Sequence, residues 1–423
     1  MRILVIGGGG REHAIVWALK KSDKVKEIYC APGNAGIAAL AECVPIPVDR
    51  FDELIEFSVD HAIDLVVVGP DDPLAAGIVD AFEASGVPIF GPRKNAAEIE
   101  GSKIFMKELL KKYSIPTAKY ETFTDYEAAS SYLSKQSAPI VIKADGLAAG
   151  KGVTVAYSLE EAHEALQDMM VNNKFGESGN RVVIEEFLEG QEMSILAFVD
   201  GETVRPMVPA QDHKPVFDGD KGPNTGGMGT YTPLPHIPQS IIDDAIENIV
   251  KPTAKAMVSE GRPFRGVLFA GLMITKDGPK TIEFNARMGD PETQVVLPRL
   301  KTDLLDIILA SINGRLDQLE IEWSDEAAVC VILASEGYPG SYPKGRVIEG
   351  LQEASSTDGV LLFHAGTAFE NGQTVTSGGR VLGVVGVGID TADARDRAYR
   401  AAKGIHFEGV HYRSDIAVKA LQG

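Results

Sequence analysis

The stretch Thr281-Ile282-Glu283-Phe284-Asn285-Ala286-Arg287 runs without a break into Met288-Gly289-Asp290-Pro291-Glu292-Thr293-Gln294. Side chains alternate along an extended chain, so Glu283, Asn285 and Arg287 share one face and Ile282, Phe284 and Ala286 the other. That face carries an anion, a neutral oxygen donor and a cation. A hard cation such as Mg2+ takes oxygen ligands and borrows the rest of its shell from phosphates and water, so one Glu and one Asn can be the protein's share. The Arg is left for a second anion. A plain antiparallel strand with one solvated face has the same alternation. The turn that follows weighs against it, because two carboxylates beside an Arg are an unusual way to end an edge strand.

Working outward, a chain of 423 residues exceeds one ordinary core, and three or more structural units are expected. A hydrophobic content of 44% with 24% charged residues is globular, neither disordered nor repetitive. The net charge of −19, with no Lys/Arg run, argues against nucleic acid or a membrane surface as a partner. Any phosphate must then be met locally. Cys30, Cys43 and Cys330 form no C-x-x-C pair, which predicts neither disulfides nor zinc and suits a reducing, cytoplasmic setting. The apolar run at the N-terminus is too short for a signal peptide, and no stretch approaches membrane-spanning length.

Residues 3–6 form an apolar run that breaks into Gly7-Gly8-Gly9-Gly10 before a helical pattern over 11–19. Strand, glycine turn and helix open a doubly wound parallel sheet, continued by strands at 27–30, 64–68 and 88–90. The dinucleotide fingerprint G-x-G-x-x-G fails, since its third glycine falls on Glu12 or His13. The second strand ends in Cys30-Ala31-Pro32-Gly33-Asn34-Ala35-Gly36 with no acid for a ribose, so a nicotinamide cofactor is not expected. The loop amides can still cradle one phosphate at a helix N-terminus, or simply allow close helix–sheet packing.

Strands at 119–123, 139–144, 152–157 and 181–188, with a helix over 159–170, read as a small separate unit. Within it, Lys143-Ala144-Asp145-Gly146-Leu147-Ala148-Ala149-Gly150-Lys151-Gly152-Val153 is a glycine-rich hairpin loop able to fold over phosphates; an ordinary surface loop has the same composition, and its place on a small separate unit favours a lid. It is no P-loop, because Gly152 stands where Ser or Thr should and a strand follows. Glu185-Glu186-Phe187-Leu188 would suit a hinge against an adenine edge, and equally a plain strand with a solvated end. The segment 211–230 is long, polar and glycine-rich, the mark of a substrate loop. His213 lacks a second His at ligand spacing, so zinc is not expected there. From 327 the pattern shifts to short strands and a helix over 392–403.

The chain resembles the ATP-grasp ligases and, more narrowly, the phosphoribosylamine-glycine ligase (glycinamide ribonucleotide synthetase) family of purine biosynthesis. Three stretches carry the resemblance: Arg287 through Gln294, Asp212-His213-Lys214 through Gly226-Gly227-Met228-Gly229, and Gly7 through Ala14. It spans essentially the whole chain. The fold class expected is multidomain α/β and α+β: a substrate-binding doubly wound domain over 1–100, an ATP-grasp core over 101–118 and 191–326, a lid over 119–190 and a C-terminal α+β domain over 327–423. The resemblance implies ATP with Mg2+ or Mn2+, and glycine and 5-phosphoribosylamine as substrates; a cytoplasmic monomer is expected. Lys103, Lys143 and the loop with Gly146, Gly150, Lys151 and Gly152 would hold the ATP phosphates. Glu185, Glu186, Phe187 and Leu188 would bind adenine, Glu192 the ribose, and Glu283 and Asn285 the metal. Arg287, Asp290, Asp212 and Lys214 are the catalytic candidates, with Arg287 on the glycine carboxylate or acyl phosphate and an amine at Asp212 or Asp290. Gly9, Gly10, Asn34 and Gly36 are assigned to the ribosyl phosphate. Asn224, Thr225, Gly226, Gly227, Met228, Pro291 and Glu292 complete the substrate contacts. Many ATP-grasp enzymes carry a further metal-binding acid on the preceding strand; Gly271 or its neighbours stand there in this chain, which leaves the number of metal ions open.

Overall fold

The strand Arg2–Gly7 has five consecutive buried residues, as a strand covered on both faces requires. It is the centre of a five-stranded sheet in the order Glu42–Cys43, Glu27–Pro32, Arg2–Gly7, Leu65–Val68, Ile89–Phe90, with every pair parallel. The helix Gly10–Leu19 leaves the carboxyl end of the central strand, beside the point where the strand order reverses. This is the doubly wound unit expected. The computed structural model describes residues 1–147 and 152–422. Ala148, Ala149, Gly150 and Lys151 lie outside the described residues, and with them two of the predicted phosphate contacts.

Two antiparallel four-stranded sheets follow. One runs Tyr120–Phe123, Val182–Glu186, Ile140–Ala144, Val153–Ala156. Its own core of Ala129, Leu133, Ile142, Leu166, Val182 and Ile184 makes it a separately packed lid. The other runs Thr203–Pro206, Gln191–Asp200, Arg265–Thr275, Gly278–Asn285 and merges into the large core. The helices Lys94–Gly101 and Lys103–Lys112 pack on the Gly278–Asn285 strand from the N-terminal side.

A third antiparallel sheet has the order Gln211–Asp212, Gly229–Thr232, Ala327–Ala334, Arg380–Gly388, Val360–His364. It is therefore not confined to 327–423, because two of its strands come from the 211–232 segment. The predicted substrate loop is largely ordered backbone, since it also holds the hairpin Pro215–Phe217 and Lys221–Asn224. Around 347–349 the chain makes only the isolated bridges Val347 to Val375 and Glu349 to His406. No helix among the described residues is long and apolar enough to cross a membrane.

The opening stretch departs from simple alternation at one residue. Glu283 pairs with Gly271 but Thr281 pairs with Leu272, so Ile282 is the extra residue of a bulge. The bulge lets Thr281 and Phe284, three apart, both point into the core, at 0% and 2% exposure. Glu283 and Asn285 stay on the opposite face, and the strand ends at Asn285, with Arg287 just beyond.

The Thr391–Gly404 helix rests on the third sheet at Gly386, where an added Cβ would lie 2.0 Å from the Ala394 carbonyl oxygen and 2.6 Å from the Ala398 nitrogen. Gly386→Ala should therefore cost about 1–3 kcal/mol by overpacking, read as a lower urea midpoint with an unchanged m-value.

Candidate active site

The bulged strand presents Glu283 and Asn285 beside Gly271 and Phe269 of its neighbour. A Cβ at Gly271 would stand 3.2 Å from Glu283 Cγ, so the space opposite Glu283 is kept by a residue that has no carboxylate to offer. Among the described residues no group of three or more His, Cys, Asp or Glu could hold a metal ion. One carboxylate and one amide oxygen nevertheless suit Mg2+, whose remaining ligands are ordinarily phosphate and water. The Glu283 charge favours the ammonium form of Lys103 and of Lys214, which places the acid in the field of both lysines.

Between the lid and the core sheet the buried charges form a chain. Lys107 Nζ meets Glu185 Oε2 at 2.5 Å, and Lys143 pairs with Glu185 Oε1. Burial works to raise the Glu185 carboxyl, but the two lysine charges and their hydrogen bonds prevail and hold it below its ordinary range. Lys107 also donates to Thr117 Oγ1 at 2.7 Å, and Thr117 donates to the Thr281 carbonyl at 2.8 Å. Lys143 reaches the Ile282 carbonyl at 3.3 Å, so both lysines touch the strand that carries Glu283 and Asn285, one of them through Thr117. Lys103 donates to the Gly146 carbonyl at 2.7 Å, and Ser102 Oγ to Asp145 Oδ1 at 3.1 Å, which docks the lid loop on the start of the Lys103–Lys112 helix. Gly152 closes the hairpin by accepting from Ala144 N at 2.8 Å.

The structure thus brings Lys103, Lys143, Gly146 and Gly152 together with Glu283 and Asn285. The side chain of Glu185 is turned into the lysine pair, and Glu186 accepts from Lys119 N at 3.0 Å. Phe187 packs 6.1 Å from the Tyr157 ring, and Glu192 is the second, exposed residue of the strand Gln191–Asp200. Lys107 went unread in the sequence, although its place four residues after Lys103 puts the two on one helix face.

The turn after the strand gathers residues from the N-terminal domain, the 211–230 segment and the third sheet. Asp290 Oδ1 accepts from Gln294 Nε2 at 2.8 Å and faces Arg380 Nη2 at 3.4 Å, while Oδ2 faces Arg11 N at 3.4 Å. Burial would raise its carboxyl, but the charges of Arg380 and Arg11 outweigh burial and lower it. Arg380 also donates to the Gly226 carbonyl at 2.8 Å and the Asp290 carbonyl at 2.9 Å. It is a second functional candidate that no motif signalled. Asp212 and Lys214 pair at 2.6 Å. Burial works to lower the Lys214 ammonium, yet Asp212, Glu292 and Glu283 hold it above its ordinary range. Gly227, at φ +123°, leaves room for Asp212 and Pro291, whose atoms would lie 2.7 Å and 2.6 Å from an added Cβ. Thr225 braces the same loop by donating to the Lys214 carbonyl at 2.7 Å and accepting from Gly227 N at 2.9 Å.

Glu292 is 1% exposed, and its Oε1 has no hydrogen-bond partner. Burial and the nearby Asp212 charge, only partly offset by Lys214, push its carboxyl up to about 7. Arg287 pairs with Glu100 at 3.0 Å and donates to Asn285 Oδ1 at 3.2 Å, while its Nε has no partner. Two of the assigned substrate residues stand apart: Met228 is buried in a small cluster with Val216 and Ala334, and Asn224 is exposed on its hairpin strand.

At the N-terminal loop the Gly9 amide donates to Glu12 Oε2 at 2.6 Å, and Arg11 Nε meets Glu12 Oε1 at 2.6 Å. A carboxylate therefore takes one amide that was expected to face a phosphate. Asn34 is committed within the protein, donating to the Gly8 carbonyl at 2.9 Å and the His364 carbonyl at 2.7 Å and accepting from Gly36 N at 3.0 Å. Gly36 leaves space for His364 and His13, and Gly10 for Gln294, so these residues shape the loop around its neighbours.

A lid sheet and a core sheet with lysines converging between them, over a strand that offers Glu and Asn, define an ATP-grasp ligase. The family model for the phosphoribosylglycinamide synthetase ATP-grasp (A) domain matches residues 101–293, the model for its N domain residues 1–100 and the model for its C domain residues 328–419. The chain belongs to the phosphoribosylglycinamide synthetase family. A relative from Caldanaerobacter subterraneus subsp. tengcongensis, named phosphoribosylamine--glycine ligase, is 54% identical over 99% of this chain and 99% of its own. One from Halalkalibacterium halodurans with the same name is 52% identical over 100% and 97%. The crystal structure of phosphoribosylamine--glycine ligase from Thermotoga maritima superposes with a TM-score of 0.86 at 36% identity, covering 98% of this chain and 100% of that one. Biotin carboxylase from Campylobacter jejuni shares the fold, with a TM-score of 0.74 at 12% identity over 97% and 92% of the two chains.

Removing Glu185 would leave two lysines buried without a counter-charge, and breaking such a pair costs about 3–5 kcal/mol. Glu185→Gln should lose stability of that order in urea unfolding, whereas an exposed pair such as Arg400 with Asp396 should contribute under about 1 kcal/mol. Glu292, with a folded value of about 7, binds its proton more tightly folded than unfolded. Its contribution to stability therefore falls as pH rises from about 4.3 to 7 and stays low above that. Glu292→Gln should flatten that fall, and a pH series of thermal midpoints measures it.

Proposed function

We propose that this chain joins glycine to 5-phosphoribosylamine, converting ATP to ADP and phosphate and giving glycinamide ribonucleotide through a glycyl phosphate. The observation that carries the reading is the single cleft edge on which the Glu283 and Asn285 face, the Lys103 and Lys143 ammoniums, and the Asp212, Lys214 and Glu292 group meet. The glycine carboxylate attacks the γ-phosphate, and the ribosylamine then displaces phosphate from the acyl group. Both partners of the first step are anions, and at about 4 Å their repulsion would cost about 4 kcal/mol at an effective dielectric near 20.

Cations of this chain offset that repulsion. Lys103 and Lys143, with the loop from Gly146 to Gly152, hold the ATP phosphates. The hinge 185–188 meets adenine through its main chain and Phe187, because the Glu185 carboxylate is already held by two lysines. Glu192, exposed at the start of its strand, takes the ribose. Glu283 and Asn285 would hold Mg2+, or Mn2+, which when bound supplies positive charge to the phosphate and to the acyl oxygen. Arg287 directs its unpartnered Nε at the glycine carboxylate. An amine is assigned to Glu292 and Asp212, not to Asp290, whose two oxygens are occupied by Gln294, Arg380 and Arg11. Gly9, Gly10, Asn34 and Gly36 form the wall for the ribosyl phosphate, and 224–228 with Pro291 the wall opposite. A closed lid keeps water from the acyl phosphate.

An ADP-release assay with each substrate omitted in turn tests this reading. Release should require glycine, and amide formation should require both glycine and 5-phosphoribosylamine; rapid ADP release without glycine would count against it. Arg287→Ala should lower turnover by about a hundredfold or more, and near-normal turnover would remove Arg287 from the site.

A further inference from the structure

Glu100 lies on the last turn of the Lys94–Gly101 helix, remote in sequence from every motif of the site. Its side chain is 7% exposed. One carboxylate oxygen accepts from Ala286 N at 2.7 Å, and the other meets Arg287 Nη2 at 3.0 Å. Both contacts fall on the two residues by which the chain leaves the metal-bearing strand. One acid therefore fixes the main chain just before Arg287 and the guanidinium itself.

The donors of Arg287 can be accounted for one by one. Nη2 serves Glu100 and Asn285 Oδ1, Nη1 donates to the Met288 carbonyl at 3.3 Å, and the buried Nε has no partner. A guanidinium is a rigid planar fork, so anchoring Nη2 on one side fixes where the Nε–H points. Arg is otherwise a long side chain with much rotamer freedom to lose. The brace is itself anchored, because Ser102 and Lys103, close behind Glu100 in the chain, hold Asp145 and Gly146 of the lid loop.

We propose that Glu100 is a positioning residue for glycine: it holds Arg287 with the Nε–H edge turned to the carboxylate that will be phosphorylated. The proposal rests on the assignment of Arg287 to glycine made above. A brace with a merely structural role would lower stability and disturb all three substrates alike. A positioning residue for Arg287 acts on glycine selectively.

The test is steady-state ADP release by Glu100→Gln, Arg287→Ala and the double variant, with KM measured separately for glycine, ATP and 5-phosphoribosylamine. Gln keeps the shape of Glu but offers one acceptor oxygen in place of two, so it cannot serve Ala286 N and Arg287 together. The expected result is a glycine KM raised about tenfold to a hundredfold, with the other two constants within about twofold of the parent. Because both residues act on one contact, the double variant should be no worse than Arg287→Ala alone. A parental glycine KM in Glu100→Gln, an equal rise in all three constants, or effects that multiply in the double variant would overturn the proposal. Arg287→Ala with parental glycine kinetics would remove the assignment of Arg287 and the proposal with it. An impaired Arg287→Ala beside a normal Glu100→Gln would remove the proposal alone. Should Glu100→Gln fail to fold, Glu100→Asp, which keeps the charge but draws the carboxylate back by one methylene, carries the same readout.

Discussion

A carboxylate largely withdrawn from water must be matched by charge or by donors, and Asp290 is where that requirement ties the molecule together. Its partners are Arg11, 279 residues away, Arg380 from the third sheet, and Gln294 one helical turn on. Arg380 spans from the Asp290 carbonyl to the Gly226 carbonyl, so the same cation joins the turn to the 211–232 segment. Arg11 reaches the Met288 carbonyl at 3.2 Å from the Gly10–Leu19 helix of the N-terminal domain. The turn 288–294 is thus held from three directions by the groups that neutralise it.

The compensation is uneven across the site. Asp290 is overmatched by cations and kept ionised, whereas Glu292 and Glu100, at about 7, are undermatched for their burial. An undermatched carboxylate costs folding free energy at neutral pH, and proteins retain such groups most often where charge is used. Lys103 and Lys107 show the same economy in the opposite sign, since burial lowers both ammoniums although each faces an acid. Anionic substrates would relieve the lysines, and an amine would relieve Glu292.

How much of this could be read from the sequence depends on the range of the interaction. The face of Glu283 and Asn285 follows from a period of two and survived the bulge, because the extra residue falls before Glu283. The bulge itself has no local signal, since Ile282 is an ordinary strand residue and only the pairing across the ladder, where it has no partner, marks the irregularity. The parallel sheet, lid and glycine hairpin were legible from apolar runs and turn residues. Glu100 and Arg380 were not, because each acts across 186 and 90 residues respectively, on a partner that only the folded chain selects. Asn34 reads as a polar residue in a glycine turn; of its four side-chain bonds to backbone, those with Gly36 and Ile37 are local, but the one to the His364 carbonyl depends on a segment 330 residues away.

The position of the bulge also explains why one strand can serve three tasks. Without the extra residue, Thr281 would share the face of Glu283, and the hydroxyl that is now fully buried would open onto the cleft. With it, Thr281 gives its carbonyl to Thr117 and its side chain to the interior, and Ile282 gives its carbonyl to Lys143. The segment after Ile282 gives its side chains to the cleft. Lys143 can therefore stand beside the acid face while bonded to the backbone of the same strand. A regular strand would have offered Lys143 an outward face already crowded by Thr281, and the bulge separates the backbone that holds Lys143 from the side chains of Glu283 and Asn285.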